Sequence, residues 1–185
     1  MPAAASAQPA GIPHGALYGT LAVQTLCTMA AYSMSVAAPE VAAELGIPGS
    51  TVGYYISMVY GFGMISAIAS PGFIHRFGPI RINQYCLLTA MASLLVAALG
   101  GTVALIAFSA FVIGTGYGAT APASSYILAR RTPPSVVNLV FAIRQTGVPL
   151  GGVLAGIVMP PLLLAVGWRN AMLAELVPMT ILLIT

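Results

Sequence analysis

Six apolar stretches, near residues 16–38, 51–70, 82–100, 102–128, 136–160 and 168–185, fill this chain and leave only short connections between them. Each is close to the roughly 20 helical residues needed to cross a hydrocarbon core about 30 Å thick. This pattern settles the solvent first. Only 5% of the 185 residues are charged, against about 25% in soluble domains, so there is too little polar material to cover a globule in water. A β-barrel would need segments of about ten residues alternating in polarity, and the long unbroken runs exclude it. The expectation is an all-α membrane protein with six transmembrane helices.

The breaks between runs carry helix stop and start signals. "APEVAAELGIPGS" at 38–50 holds Glu40, Glu44, Gly46, Pro48 and Gly49, and its Ser50 is placed to cap the second span. "GFIHRFGPIR" at 72–81 and "ARRTPPS" at 129–135 are basic, "LGGT" at 99–102 is a tight turn, and "PPLLLAVGWRN" at 160–170 closes one span and opens the next. Alternate connections therefore hold Arg76 and Arg81, then Arg130 and Arg131, while those on the other side hold two glutamates and Arg169. The positive-inside rule puts the arginine-rich connections and both termini in the cytoplasm, as in an integral protein of a bacterial inner (plasma) membrane. Residues 1–15, with three prolines and neither Lys nor Arg, read as a disordered cytoplasmic tail rather than a secretory signal, which needs a positive segment before its apolar core; residues 16–185 form the transmembrane domain.

The net charge of +3 comes from scattered arginines without any lysine, a poor phosphate-binding surface that argues against nucleic acid. Cys27 and Cys86 fall in apolar runs and read as small hydrophobes, with no metal-ligand spacing. No nucleophile–base pair, phosphate loop or metal cluster is visible, and there is no aspartate; neither enzymatic chemistry, a cofactor nor a metal is expected.

The connection "PGFIHRFGPIR" resembles the loop signature of the major facilitator superfamily, Gly-x-x-x-Asp-Arg-x-Gly-Arg-Arg. Arg76 and Gly78 match its arginine and second glycine; Pro71 stands at its first glycine, His75 at its aspartate, Pro79 and Ile80 at its last two arginines, and Arg81 one position beyond. "APEVAAELGIPGSTVGYYISMVYGFGM" is similar to the family's first outer loop and second span. "GTGYGATAPASS" is similar to its glycine-rich fourth span, with Val112 where an arginine usually precedes it. "TGVPLGGVLAG" resembles the antiporter pattern of span five through Gly147, Pro149, Gly151 and Gly152. Each glycine set can also serve close helix packing alone. The resemblance covers the N-terminal six-helix half of a transporter and implies two inverted three-helix repeats. It further implies a conformational loop at His75, Arg76, Gly78 and Arg81, and gating or packing at Gly147, Pro149, Gly151 and Gly152.

Two ionisable groups lie well inside spans, Arg144 and Glu175. An arginine at mid-membrane costs from about 2.5 to over 10 kcal/mol by different measures, so it needs a partner or a cavity. Arg144, roughly 9–12 Å inside the span, has three readings: snorkelling to headgroups, a salt bridge to Glu175, or a cavity-facing cation for an anion. The adjacent Gln145 favours the last, because guanidinium grips carboxylate bidentately. Since spans one and four of the resembled family face its central path, Gln24, Tyr32 and Tyr117 join Arg144 and Gln145 as substrate-binding candidates, with Thr25, Ser35 and Ser124 beside them. The functional expectation is a half-size secondary transporter, working as a homodimer or with a second six-helix half, that moves a small solute, an organic anion, by alternating access. The alternative is an inactive half or assembly partner. Gly53, Gly61, Gly63 and Ala67 in span two, with Gly147, Gly151 and Gly156 in span five, are the expected contacts with the other half.

Overall fold

The computed structural model describes residues 11–184, so most of the expected tail lies outside the described residues. Helix α1 runs His14–Val36, α2 Ala38–Leu45, α3 Thr51–Phe77, α4 Pro79–Ala98, α5 Val103–Arg131, α6 Val137–Gln145, α7 Gly147–Ala174 and α8 Leu176–Ile184. Among the described residues, α3, α4, α5 and the joined stretch 137–184 are each long and apolar enough to cross a membrane; α1 reaches that standard together with α2, from which it is bent by 49°. The stretch 137–184 cannot be one rod. Its 48 residues would span about 72 Å at the rise of an α-helix, over twice the bilayer core. Gly167, at φ 76° and ψ 162°, breaks α7, giving six rods among the described residues. A left-handed φ next to an extended ψ is open to glycine and strained for other residues.

Several boundaries differ from the sequence reading, and the prolines explain why. Pro71 lies inside α3, which continues through His75 and Arg76 to Phe77, so most of the expected loop is helix. A proline removes the N–H that would bond the carbonyl four residues back. Here the Ser70 hydroxyl donates to that same carbonyl, Ala67 O, at 2.8 Å, and the helix survives. The actual stop is Gly78, at φ 85°. Likewise Pro160 and Pro161 sit inside α7 rather than ending it. The expected outer loop contains α2, closed by Gly46 at φ 65°. Ser50 precedes α3, but its side chain makes no cap bond.

The most extensive helix pairs are α3–α5, α4–α5 and α1–α7. The second rod of each three-rod set packs on the first rod of the other, α3 on α5 and α7 on α1, which is the exchange that inverted repeats produce. Glycines set the spacing. A Cβ on Gly118 would run into the backbone of Gly63, and one on Gly151 would lie 2.5 Å from the Thr25 carbonyl oxygen. The core gathers mainly small and flexible side chains, among them Cys27, Ala30, Met34, Cys86, Ala90, Ala110, Ala123 and Met159. Both cysteines are buried and free.

The two ends of the bundle differ. One carries Arg76, Arg81, Arg130 and Arg131. At the other, Arg169 pairs with Glu44 at 2.6 Å and donates to the Gly100 carbonyl at 3.1 Å. The Trp168 indole N–H also reaches Glu44, at 2.7 Å.

Candidate functional site

Arg144 sits in the last turn of α6, where the chain passes into α7 across Thr146. Pro149 lacks the N–H that would bond the Gln145 carbonyl, which accounts for a break at this point. The Arg144 side chain turns inward between α1 and α5 and is only 4% exposed. Its Nη2 donates to Gln24 Oε1 at 2.9 Å and to the Thr120 carbonyl at 3.5 Å; its Nη1 donates to Gln145 Oε1 at 3.1 Å. Nε is buried without an acceptor. Gln24 is held in turn, its Nε2 donating to Thr28 Oγ1 at 3.3 Å. Gly147 makes this approach possible, since a Cβ there would come within 3.1 Å of the Gln24 side chain.

Among the described residues no carboxylate pairs with this cation. The ion pair among the described residues is Arg169–Glu44, so the salt bridge to Glu175 considered for Arg144 is not formed. Three neutral acceptors take three of the five guanidinium N–H groups, and the positive charge remains uncompensated inside the bundle.

About eight residues further along α1 and α7, or roughly 12 Å by helix rise, lies a tyrosine cluster. Tyr32 and Tyr60 share a hydrogen bond at 2.8 Å between their hydroxyls. Tyr60 and Tyr117 meet edge to face, ring centroids 5.8 Å apart. A Cβ on Gly152 would rest against the Tyr32 ring at 3.9 Å. Tyr60 was not among the sequence candidates; in the run "YYISMVYG" nothing sets it apart from its neighbours Tyr54 and Tyr55, and only cross-helix pairing reveals it. Ser124, by contrast, points away and donates to Asn83 Oδ1 on α4 at 3.2 Å. Thr25 and Ser35 are present with hydroxyl oxygens buried and unpartnered.

Two crevices, of about 620 and 530 Å³, lie elsewhere. The first runs between α1, α4, α5 and α8 past Asn83 and Arg131; the second, between α3, α4 and α5, is lined by Phe73, Phe77, Arg81 and Tyr85. Neither is lined by Arg144 or by Tyr32, Tyr60 and Tyr117. Tyr60 is 44% exposed, and Gln145 and Pro149 are exposed as well.

A sequence model of the Major Facilitator Superfamily matches residues 20–185. The chain belongs to the Major Facilitator Superfamily. Among solved structures it is similar to one titled "In meso crystal structure of the POT family transporter PepTSo", with a TM-score of 0.72 and 19% identity over 92% of this chain. The likeness covers 36% of that structure, so the chain spans about a third of its length. No curated protein matches the chain.

With the Major Facilitator Superfamily in view, the loop signature takes a definite form. His75 and Arg76 lie in the last turn of α3, where the Arg76 cation favours the carbonyl end of the helix; Gly78 is the sharp corner, and Arg81 lies in the first turn of α4. His75 meets the Tyr126 ring edge to face, and the Arg76 guanidinium lies 5.3 Å from the Phe77 ring centroid. In this Major Facilitator Superfamily chain His75 stands where the family signature has a carboxylate, and the Tyr126 ring packs against it.

Proposed function

We propose that the chain is one six-helix half of a secondary transporter that moves a small organic anion by alternating access. The carrying observation is Arg144: a guanidinium almost wholly buried, held by Gln24, Gln145 and the Thr120 carbonyl, with no protein carboxylate as counter-ion. A buried charge without an opposite one is unfavourable, and an anion arriving beside it removes that penalty. Tyr32, Tyr60 and Tyr117 supply hydroxyls and ring faces for the rest of the solute. His75, Arg76, Gly78 and Arg81 form the conformational corner at the basic end, which the positive-inside rule puts in the cytoplasm of an inner membrane together with both termini.

The other half is a second copy of the chain. Gly53, Gly61 and Gly156 have nothing within 4 Å of a built Cβ, and Met64, Ile65, Ile68, Val153 and Ile157 are exposed around them. The expected contact set is thereby corrected: Gly63, Gly147 and Gly151 already pack inside the chain and do not belong to it. Small residues facing outward let backbones approach, which is how helices associate in lipid.

Proteoliposome flux and equilibrium binding with a panel of organic anions test this reading. Arg144→Ala should remove binding while the protein still inserts, and Arg144→Lys should weaken it, because a point charge loses bidentate geometry. Unchanged binding in Arg144→Ala would refute the anion site. Single cysteines at Gly61 and Gly156 should cross-link between copies; a monomeric particle without flux would favour the inactive-half reading.

A further inference from the structure

Glu175 is the second buried charge-bearing group, and its surroundings are the reverse of those of Arg144. It occupies the junction between α7 and α8, 3% exposed, with both carboxyl oxygens buried and without a hydrogen-bond partner. No cation is at hand. Arg169, six residues earlier, is engaged by Glu44, Arg144 by Gln24 and Gln145, and the other four arginines sit at the opposite end.

The serines near it have their hydroxyl hydrogens already committed to backbone carbonyls. Ser33 on α1 donates to the Met29 carbonyl at 2.8 Å. Tyr55 on α3 is the titratable group that interacts with Glu175, and its hydroxyl lies beside Ser93 on α4 and Ser109 on α5. Ser93 donates to the Ser109 carbonyl at 2.9 Å and Ser109 to the Ile106 carbonyl at 2.7 Å. Pro178 has no N–H and leaves the Ala174 carbonyl beside Glu175 without its ladder donor. The neighbourhood is rich in acceptors and poor in donors. A carboxylate only accepts hydrogen bonds, whereas a protonated carboxylic acid donates one.

We propose that Glu175 is a proton-binding site: the Glu44 end of the bundle packs closed around the neutral acid, and loss of the proton requires that end to open and admit water. A bare carboxylate left there would carry the desolvation penalty of an unpaired buried charge. The proton leaves from the carboxyl oxygen to water; no other bond changes.

The test uses purified protein in lipid and infrared spectroscopy across pH, with an impermeant thiol reagent applied to Ser93→Cys in a background in which Cys27 and Cys86 are alanine. At pH 7 a protonated-carboxyl stretch should be present, shift in heavy water, and be lost in Glu175→Gln. Should that variant fail to fold, Glu175→Asp serves in its place, because the shorter acid must shift the band if the band belongs to this position. As pH rises the band should fall while labelling at position 93 rises, and Glu175→Gln should keep position 93 unlabelled throughout. Absence of the band at pH 7, an unshifted band in Glu175→Asp, or equal pH-driven labelling in Glu175→Gln would overturn the proposal.

Discussion

The seams α1–α7 and α3–α5 are counterparts in the two repeats, and they are built differently. In α3–α5 the glycines stand on both sides, Gly63 against Gly114 and Gly118, with Phe62, Phe111, Tyr60 and Tyr117 closing the flanks. In α1–α7 the glycines Gly147 and Gly151 are all on one helix, and they face Gln24, Thr25 and Thr28 on the other. The first seam is mainly close packing, with the Ser66 hydroxyl donating across it to the Thr115 carbonyl. The second uses the same close approach to bring polar side chains of α1 under the neighbouring helix, where Gln24 meets Arg144. One geometric solution thus serves rigidity in one repeat and a polar site in its counterpart.

The largest effects come from breaking either seam. A methyl on Gly118 meets backbone rather than a movable side chain, so Gly118→Ala should destabilise the protein at the upper end of the overpacking range, about 3 kcal/mol or more. Gly151→Ala meets the Thr25 carbonyl and the Thr28 side chain and should cost about 1–3 kcal/mol. Thermal unfolding in detergent ranks the pair; equal stability to wild type in Gly118→Ala would show that the seam yields.

Arg144 separates the seams by function. Removing it should cost an anion about 2–5 kcal/mol of binding, the range for truncating one side of a buried charge contact. The same measurement on Tyr60→Phe, which keeps the ring and removes the hydroxyl bonded to Tyr32, should read about 0.5–1.5 kcal/mol. A larger loss from Tyr60→Phe than from Arg144→Ala would move the site to the α3–α5 side.

Smaller still is the response at outward glycines. Gly156→Ala finds open space, so the stability of one copy should stay within about 0.5 kcal/mol of wild type, and only association between copies should fall. The smallest effect is that of pH on the Glu44 clasp. Hydrogen bonds from Arg169 first, then Trp168, hold the Glu44 carboxyl below its ordinary value of 4.5. A group whose folded-state value is depressed contributes stability above its unfolded value and loses it as pH falls through the folded one. Acid below about pH 4.5 should therefore weaken wild type slightly more than Arg169→Gln, an effect that salt screens because the pair is exposed.

Much of this was legible in the residues themselves. Scarcity of charge located the membrane, and the lone Arg144 beside Gln145 stood out as a candidate site before any contact was known. Proline misled because its cost is local while its remedy is not readable from spacing: Pro71 reads as a stop until Ser70 is seen covering the Ala67 carbonyl. The glycines at 78 and 167, whose φ is positive, ended helices that the prolines did not. Contacts between helices were the illegible part. Gly63 and Gly61 are two residues apart in one motif, yet the first is packed on α5 and the second is open. Tyr60 and the partnerless oxygens of Glu175 belong to the same class, fixed by what faces them across the bundle.

At the end away from the basic loops, Arg169 touches Glu44 and Gly100 at once. Glu44 belongs to the connection between rods one and two, Gly100 to that between rods three and four, and Arg169 to that between rods five and six. A single guanidinium therefore knots all three hairpins of that end, so a pull on any one strap is shared by the others. Opening that end means releasing one guanidinium from both partners, after which the three connections part together. Lengthening one of these three loops, although each lies at the surface, should be felt by all six rods.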